Sequence, residues 1–313
     1  MSNKKTPTML PALRTLEDWI RWGAARLDEA GVFHGHGMEQ ALDEAAYLAL
    51  HALGLPPEVP ASVYATVLTA DEQQALQALI RQRVEERRPA AYLTREAWFC
   101  GLQFYVDERV LVPRSPIAEL IERGFSPWLG WDHEVRRILD LGTGSGCIAI
   151  ACAYAFPGAE VDAVDISTAA LAVVRHNIQR HGLMGRVRPV HSDLFHALDG
   201  ERYDIIISNP PYVAEAEMAQ LPREYRHEPE LGLVAADEGL EFALRILREA
   251  PRHLRPGGLL VVEVGASQAA LERRLPMVPF VWLDFERGGE GVFLLTTQEL
   301  EAHREDFRVS SEG

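Results

Sequence analysis

Lysine is almost missing from this chain: Lys4 and Lys5 are the only two, and arginine supplies the rest of the positive charge. With a net charge of −15, the chain repels polyphosphate at long range. Direct nucleic-acid binding is therefore not favoured, and a basic protein is the better electrostatic match. Cysteine is scarce as well. Cys100, Cys147 and Cys152 fit neither a disulfide framework nor a zinc set. No stretch of 18 apolar residues occurs, so no membrane partner or spanning helix is expected. Met1 to Thr8 carries two lysines without a following apolar stretch, unlike a secretory leader. A disordered lead-in and a cytoplasmic location are expected.

What is present falls into distinct parts. From about Leu13 to Arg88 the apolar residues recur at helical spacing: Leu16, Trp19, Ile20 and Leu27, then Ala41, Ala45 and Leu48, then Leu76, Ile80 and Val84. Thr69 with Glu72 matches a capping box, and the last of these helices should stop before Pro89. Residues 1–90 thus read as a small all-helical domain for substrate recognition. His34-Gly35-His36-Gly37 lacks further ligands and reads as a loop, so no metal is expected. Residues 91–116 turn strand-like, with a hairpin through Trp98-Phe99-Cys100-Gly101 and Phe104-Tyr105-Val106 and an extended piece at Val110-Leu111-Val112. They read as a linker between domains.

Residues 117–313 alternate strand and helix. Strands are expected at Arg137–Leu141, Val161–Val164, Val187–Val190, Tyr203–Ser208, Leu259–Val264, Val281–Phe285 and Val292–Thr296. This is an α/β, doubly wound, seven-stranded and mostly parallel sheet. The last two strands are joined by only a short glycine-rich stretch and must pair antiparallel. A long loop is expected from Val213 to about Glu238, and a charged, fraying tail from Gln298 onward.

Three strand ends carry chemistry. Asp140-Leu141-Gly142-Thr143-Gly144-Ser145-Gly146 follows the first strand, where glycines let a ligand approach the backbone beside a helix start. Asp165 ends the second strand, where a carboxylate can accept both hydroxyls of a ribose. Asp193 follows the third, placed for an adenine amino group. Each acid closes a successive strand at the carboxyl edge, which favours an adenosine-containing cofactor. After the apolar run Ile205-Ile206-Ile207-Ser208 comes Asn209-Pro210-Pro211-Tyr212. Two prolines stiffen this loop. It offers one carboxamide, one carbonyl and one aromatic face, a clamp for a planar amino group.

These motifs, in this order, resemble the class I S-adenosylmethionine-dependent methyltransferases. The helical domain, hairpin and Pro113-Arg114 resemble the protein glutamine methyltransferases of the release-factor type. Tyr105 to Ile117 and Glu224 to Leu233 look closer to the branch acting on large-subunit ribosomal protein L-three. Two departures from the release-factor branch support this: Arg114-Ser115-Pro116-Ile117-Ala118 replaces Arg-Pro-Glu-Thr-Glu, and Leu194 replaces an aromatic residue. The resemblance implies S-adenosylmethionine as cofactor, held by Asp140, Gly142, Thr143, Gly144, Ser145, Gly146, Asp165, Asp193, Leu194 and Asn209. It implies Asn209, Pro210 and Tyr212 as catalytic, with Pro211, Arg114 and Glu228 joining them around the substrate. A salt bridge from Glu228 to Arg114 is the alternative reading of that glutamate. The implied activity is transfer of a methyl group to a glutamine amide of that basic ribosomal protein, free or during ribosome assembly. Release factors, or an exocyclic amine in nucleic acid, are the alternative substrates.

Overall fold

The computed structural model describes residues 13–130 and 133–309. The expected lead-in at residues 1–8 lies outside the described residues. The chain divides into two compact units, Met1–Thr94 and Arg95–Gly313.

The first unit is helical, with its main helices at Leu16–Glu29, Ala41–Ala52 and Ala70–Glu86. Thr15 and Thr69 each close a capping box, with Asp18 and Glu72 respectively, satisfying backbone donors that the first helical turn leaves open. Leu16, Leu27, Leu48, Leu76 and Ile80 form its core. Gly23 has no side chain because a Cβ there would lie 3.1 Å from Ile80 Cδ1 and 3.3 Å from Ala45 Cβ. The His34 loop is tied down by charge: His34 Nδ1 lies 2.7 Å from Glu44 Oε2, and the buried Arg83 donates to the same carboxylate. Among the described residues no cluster of metal-ligating side chains occurs.

The second unit opens with a hairpin, β1 (Glu96–Phe99) and β2 (Leu102–Tyr105), paired antiparallel. Its main sheet is built from β3 (Arg137–Leu141), β4 (Glu160–Asp165), β5 (Val187–His191) and β6 (Tyr203–Ser208). A small separate pair, β7 (Val213–Ala214) and β8 (Val234–Ala235), follows. The main sheet is completed by β9 (Leu254–Glu263), β10 (Val281–Trp282) and β11 (Val292–Thr296). The seven-stranded order is β10-β11-β9-β6-β3-β4-β5. β11 runs antiparallel to both neighbours, and the remaining contacts are parallel. Ile205, Ile206 and Ile207 on β6 are fully buried, and each burial contributes roughly 1.5–3 kcal/mol. Because β3, β4, β5, β6 and β9 are parallel, Leu141, Asp165, His191, Ser208 and Glu263 all end at one edge of the sheet.

Beyond shifted strand bounds, with β9 beginning at Leu254 and β10 ending at Trp282, the structure departs from the sequence reading in three places. Residues 91–116 are not a separate linker. Residues Ala90–Thr94 are helical and close the first unit, whereas the hairpin belongs to the second. Asn177, buried inside the helix Thr168–Arg180, fixes the hairpin by accepting from Tyr105 N at 2.8 Å and donating to Tyr105 O at 3.0 Å. The stretch Val213–Glu238 is not an open loop, since β7 and β8 pair in parallel and close it at its base. The segment after Gln298 does not fray through its described length. It forms helices Thr297–Ala302 and Asp306–Val309, and its Leu300 and Phe307 are buried in the sheet's core.

Candidate active site

A cavity of about 540 Å³ opens at the carboxyl edge of β3 to β6 and β9. This lies within the usual size of small-molecule sites, about 300–1,000 Å³. One end is made by the turn after β3. Gly142 and Gly144 take φ of +70° and +56°, a left-handed backbone that side chains rarely adopt. Gly144 N donates to Asp165 Oδ2 at 2.9 Å, and Ser167 N donates to Asp165 Oδ1 at 2.8 Å. Burial pushes the Asp165 carboxyl above its usual range, against those two backbone donors. Asp165, Thr143, Ser145, Asp193 and Leu194 all line the cavity. Asp193 accepts from Arg245 Nη2 at 2.7 Å.

Two residues of the glycine motif stand back from the wall. Asp140 is fully buried. Its Oδ2 accepts from Thr143 Oγ1 at 2.5 Å and Ala149 N at 3.1 Å, and its Oδ1 has no partner among the described residues. Burial raises its carboxyl to about 7. It shapes the turn from beneath and offers no surface to a ligand. Gly146 is the N-cap of the helix Cys147–Ala155, and a Cβ there would lie 3.3 Å from Val174 Cγ1. Its role is helix packing.

The other end is the loop after β6. Asn209, Pro210, Pro211 and Tyr212 all line the cavity. Among the described residues the Asn209 carboxamide has no hydrogen-bond partner, and the Pro210 carbonyl accepts no bond. The loop thus presents two acceptors side by side in sequence, neither used by the fold. The glycine turn meets it directly: a Cβ on Gly142 would lie 3.9 Å from Asn209 O.

Tyr212 is held at both its backbone and its hydroxyl. Its carbonyl accepts from Ser267 Oγ at 3.1 Å, and its hydroxyl donates to Glu263 Oε1 at 3.1 Å. Ser115 Oγ donates to the other Glu263 oxygen at 2.5 Å. A Cβ on Gly265 would lie 2.6 Å from the Tyr212 ring.

Glu228 is spent on structure. Arg114 Nη1 and Nη2 both reach its carboxylate, the first at 2.5 Å and the second at 2.7 Å, and Val112 N adds a third donor at 2.9 Å. The Glu228 side chain is fully buried and does not reach the cavity wall, so its expected contact with substrate gives way to the salt bridge. Arg114 does line the cavity, with its guanidinium 5.2 Å from the centre of the Tyr225 ring. The pair staples the segment before the helix Ile117–Glu122 to the loop after the clamp.

Comparison with known proteins places the chain in a family. A methyltransferase small domain model matches residues 130–223, and a PrmC N-terminal domain model matches residues 18–94. A protein of Francisella tularensis named ribosomal protein uL3 glutamine methyltransferase is 44% identical, over 98% of this chain and 98% of its own length. Relatives with the same name from Xanthomonas campestris and Xylella fastidiosa are 53% and 50% identical. They cover 93% and 97% of this chain, and 94% and 97% of their own lengths. The chain belongs to the ribosomal protein uL3 glutamine methyltransferase family. Its likeness to those family members spans both units, so the glycine turn, the clamp and the helical domain all fall within it.

Sequence reasoning missed Glu263 and Ser115, which line the cavity, and Ser267, which anchors the Tyr212 carbonyl. Glu263 had a signal: like Asp165, it is an acid closing a strand at the carboxyl edge. Ser115 and Ser267 had none, because a lone serine in a turn carries no periodic imprint.

Proposed function

We propose that this chain is a protein-(glutamine-N5) methyltransferase acting on ribosomal protein uL3 with S-adenosylmethionine as methyl donor. The observation that carries the reading is the pair of free acceptors, Asn209 Oδ1 and Pro210 O, on one cavity with the Gly142–Gly144 turn and Asp165. The names of the relatives support the substrate. Gly142, Thr143, Gly144, Ser145, Asp165, Asp193 and Leu194 would hold the cofactor, and the cavity volume and the strand-end acids suit it. When bound, S-adenosylmethionine supplies a methyl group on a sulfonium, an activated electrophile with a neutral leaving group.

The amide nitrogen of glutamine is a poor nucleophile because its lone pair is delocalised into the carbonyl. The chain's task is therefore position and polarisation. Asn209 Oδ1 and Pro210 O each accept one amide hydrogen, which fixes the nitrogen and stabilises the positive charge developing on it. Tyr212 packs on the planar amide and excludes water. Such orientation can supply roughly 7–11 kcal/mol of the barrier. No base is needed before attack, because the proton can leave once the methyl has arrived.

The charge of −15 suits a basic ribosomal protein as partner. Among the described residues no helix is long and apolar enough to cross a membrane, and we read the protein as cytoplasmic. Incubation of the purified chain with labelled S-adenosylmethionine and unmethylated uL3 should place label on one glutamine, with release factors left unlabelled. Absence of transfer to uL3 would overturn the reading, and transfer to a release factor instead would reassign the substrate.

A further inference from the structure

We propose that ionised Glu263 is the positioning residue of the acceptor clamp, holding the Tyr212 ring in place through its hydroxyl. The inference rests on the methyl-transfer reading above and adds a residue to it. Tyr212 has the longest side chain of the clamp, and the loop alone does not fix where its ring lies. Its two prolines stiffen the backbone up to Pro211, but the ring still turns about its own side-chain bonds. One contact anchors the backbone beneath the ring, and two act on the ring itself. Ser267 Oγ anchors the Tyr212 carbonyl at 3.1 Å. Gly265 lets the ring lie where even a methyl group would not fit, 2.6 Å from Cε2. Glu263 Oε1 then accepts from the hydroxyl at 3.1 Å.

Glu263 is itself fixed. It ends β9, and its second oxygen accepts from Ser115 Oγ at 2.5 Å. The Ser115 hydroxyl oxygen in turn accepts from Ile117 N at 3.2 Å, at the start of the helix Ile117–Glu122. The carboxylate therefore faces two hydroxyl donors, one on each oxygen, which is the arrangement an ionised acid satisfies. Protonation removes the charge that assists both bonds, and charge-assisted bonds are roughly twice as strong as neutral ones.

The other groups around Glu263 set where that happens. Arg114, on the same segment as Ser115, is the cation that favours the ionised form, and its guanidinium is shared with Glu228. From the adjoining strand β11 the facing residue is Val292, which is apolar. The Gly265–Ser267 turn brings no titratable group. Burial outweighs Arg114 and the two hydroxyls and raises the Glu263 carboxyl to about 6. The charge-assisted tether is in place above that value and weakens as pH falls through it.

The test has two arms on the full-length protein. In the first, carbon-13 resonances of the Glu263 carboxyl and the Tyr212 ring are followed against pH. They should move together with a midpoint near 6, and the Tyr212 shift should vanish in Glu263→Gln. A Tyr212 ring that does not respond to the carboxyl overturns the proposal. In the second, Tyr212→Phe, Glu263→Gln and the double variant are assayed for methyl transfer. Each single change should lower kcat roughly 10- to 100-fold with cofactor affinity unchanged. The double variant should be no slower than the slower single, because both changes cut one link. The acid limb of the wild-type kcat should be missing from Tyr212→Phe. Additive losses, or an acid limb retained in Tyr212→Phe, overturn the proposal. Absence of transfer by the wild-type chain would instead overturn the functional reading, and the resonance arm still decides the role of Glu263.

Discussion

At the glycine turn itself, hydrogen-bond partners lie close in sequence, although Asp193 beside it takes Arg245 from 52 residues away. Thr143 reaches Asp140 three residues back, Ser167 reaches Asp165 two residues back, and Gly144 reaches Asp165 at a separation of 21. Most of the donors are backbone amides or a neighbouring hydroxyl. At the clamp end the separations are 51 for Tyr212 with Glu263, 114 for Arg114 with Glu228 and 148 for Ser115 with Glu263. There the partners are side chains, and several are charged. The glycine turn is thus a local structure that a strand and a turn nearly specify. The clamp end exists only once distant segments have met. The difference divides the labour in the proposed reaction: a ligand of fixed shape is held by local backbone, and the reacting amide by a long-range frame.

The largest effect should come from breaking that frame. Arg114→Met leaves the Glu228 carboxylate buried without its cation and should cost about 3–5 kcal/mol of stability, read by denaturant unfolding. A loss below about 1 kcal/mol, the scale of an exposed pair, would show that the long-range frame is dispensable. Next in size, Asn209→Ala removes one acceptor and should lower kcat roughly 100- to 1,000-fold. Its cofactor affinity, measured by calorimetry, should stay nearly unchanged. Full activity in this variant would show that the clamp does not act on the amide. Asp165→Ala should do the reverse, weakening cofactor binding roughly 10- to 100-fold while leaving kcat at saturating cofactor less affected. Equal damage to both parameters would erase the division between the two ends. The smallest effect is expected from Ser167→Ala. It removes the side-chain bond to Ala170 N that caps the helix Thr168–Arg180, at about 1 kcal/mol, and should shift the melting temperature without changing kcat.

The same contrast explains which parts were legible in advance. The run Ile205-Ile206-Ile207 announces a strand buried on both faces, and Asn209 then falls at its carboxyl end. Thr69 and Glu72 announce a helix start through spacing alone. Asp165 and Asp193 are found on the cavity wall because strand ends in a parallel sheet share one edge. Asp140 stands back from the wall for a physical reason. It sits one residue before the end of β3, and the pleat turns its side chain under the loop, onto Thr143 and Ala149. Glu228 reads from the sequence as either a substrate contact or a salt-bridge partner, because spacing along the chain says nothing about a partner 114 residues away. The segment after Gln298 looked polar and loose, yet Leu300 and Phe307 are enough to bury it.

By itself the sequence determined the main helices and sheet strands, their order, and the strand ends that carry Asp165, Asp193 and Asn209. Periodicity, caps and breakers act between neighbours, so they leave a trace that can be read along the chain. Only the tertiary structure decided that Ser115, Tyr212 and Glu263 form one hydrogen-bonded group, and that Arg114 and Glu228 close the frame beside it. Those bonds form when parallel strands bring their carboxyl ends to a common edge. A contact between residues far apart in the chain depends on that packing and on no local pattern.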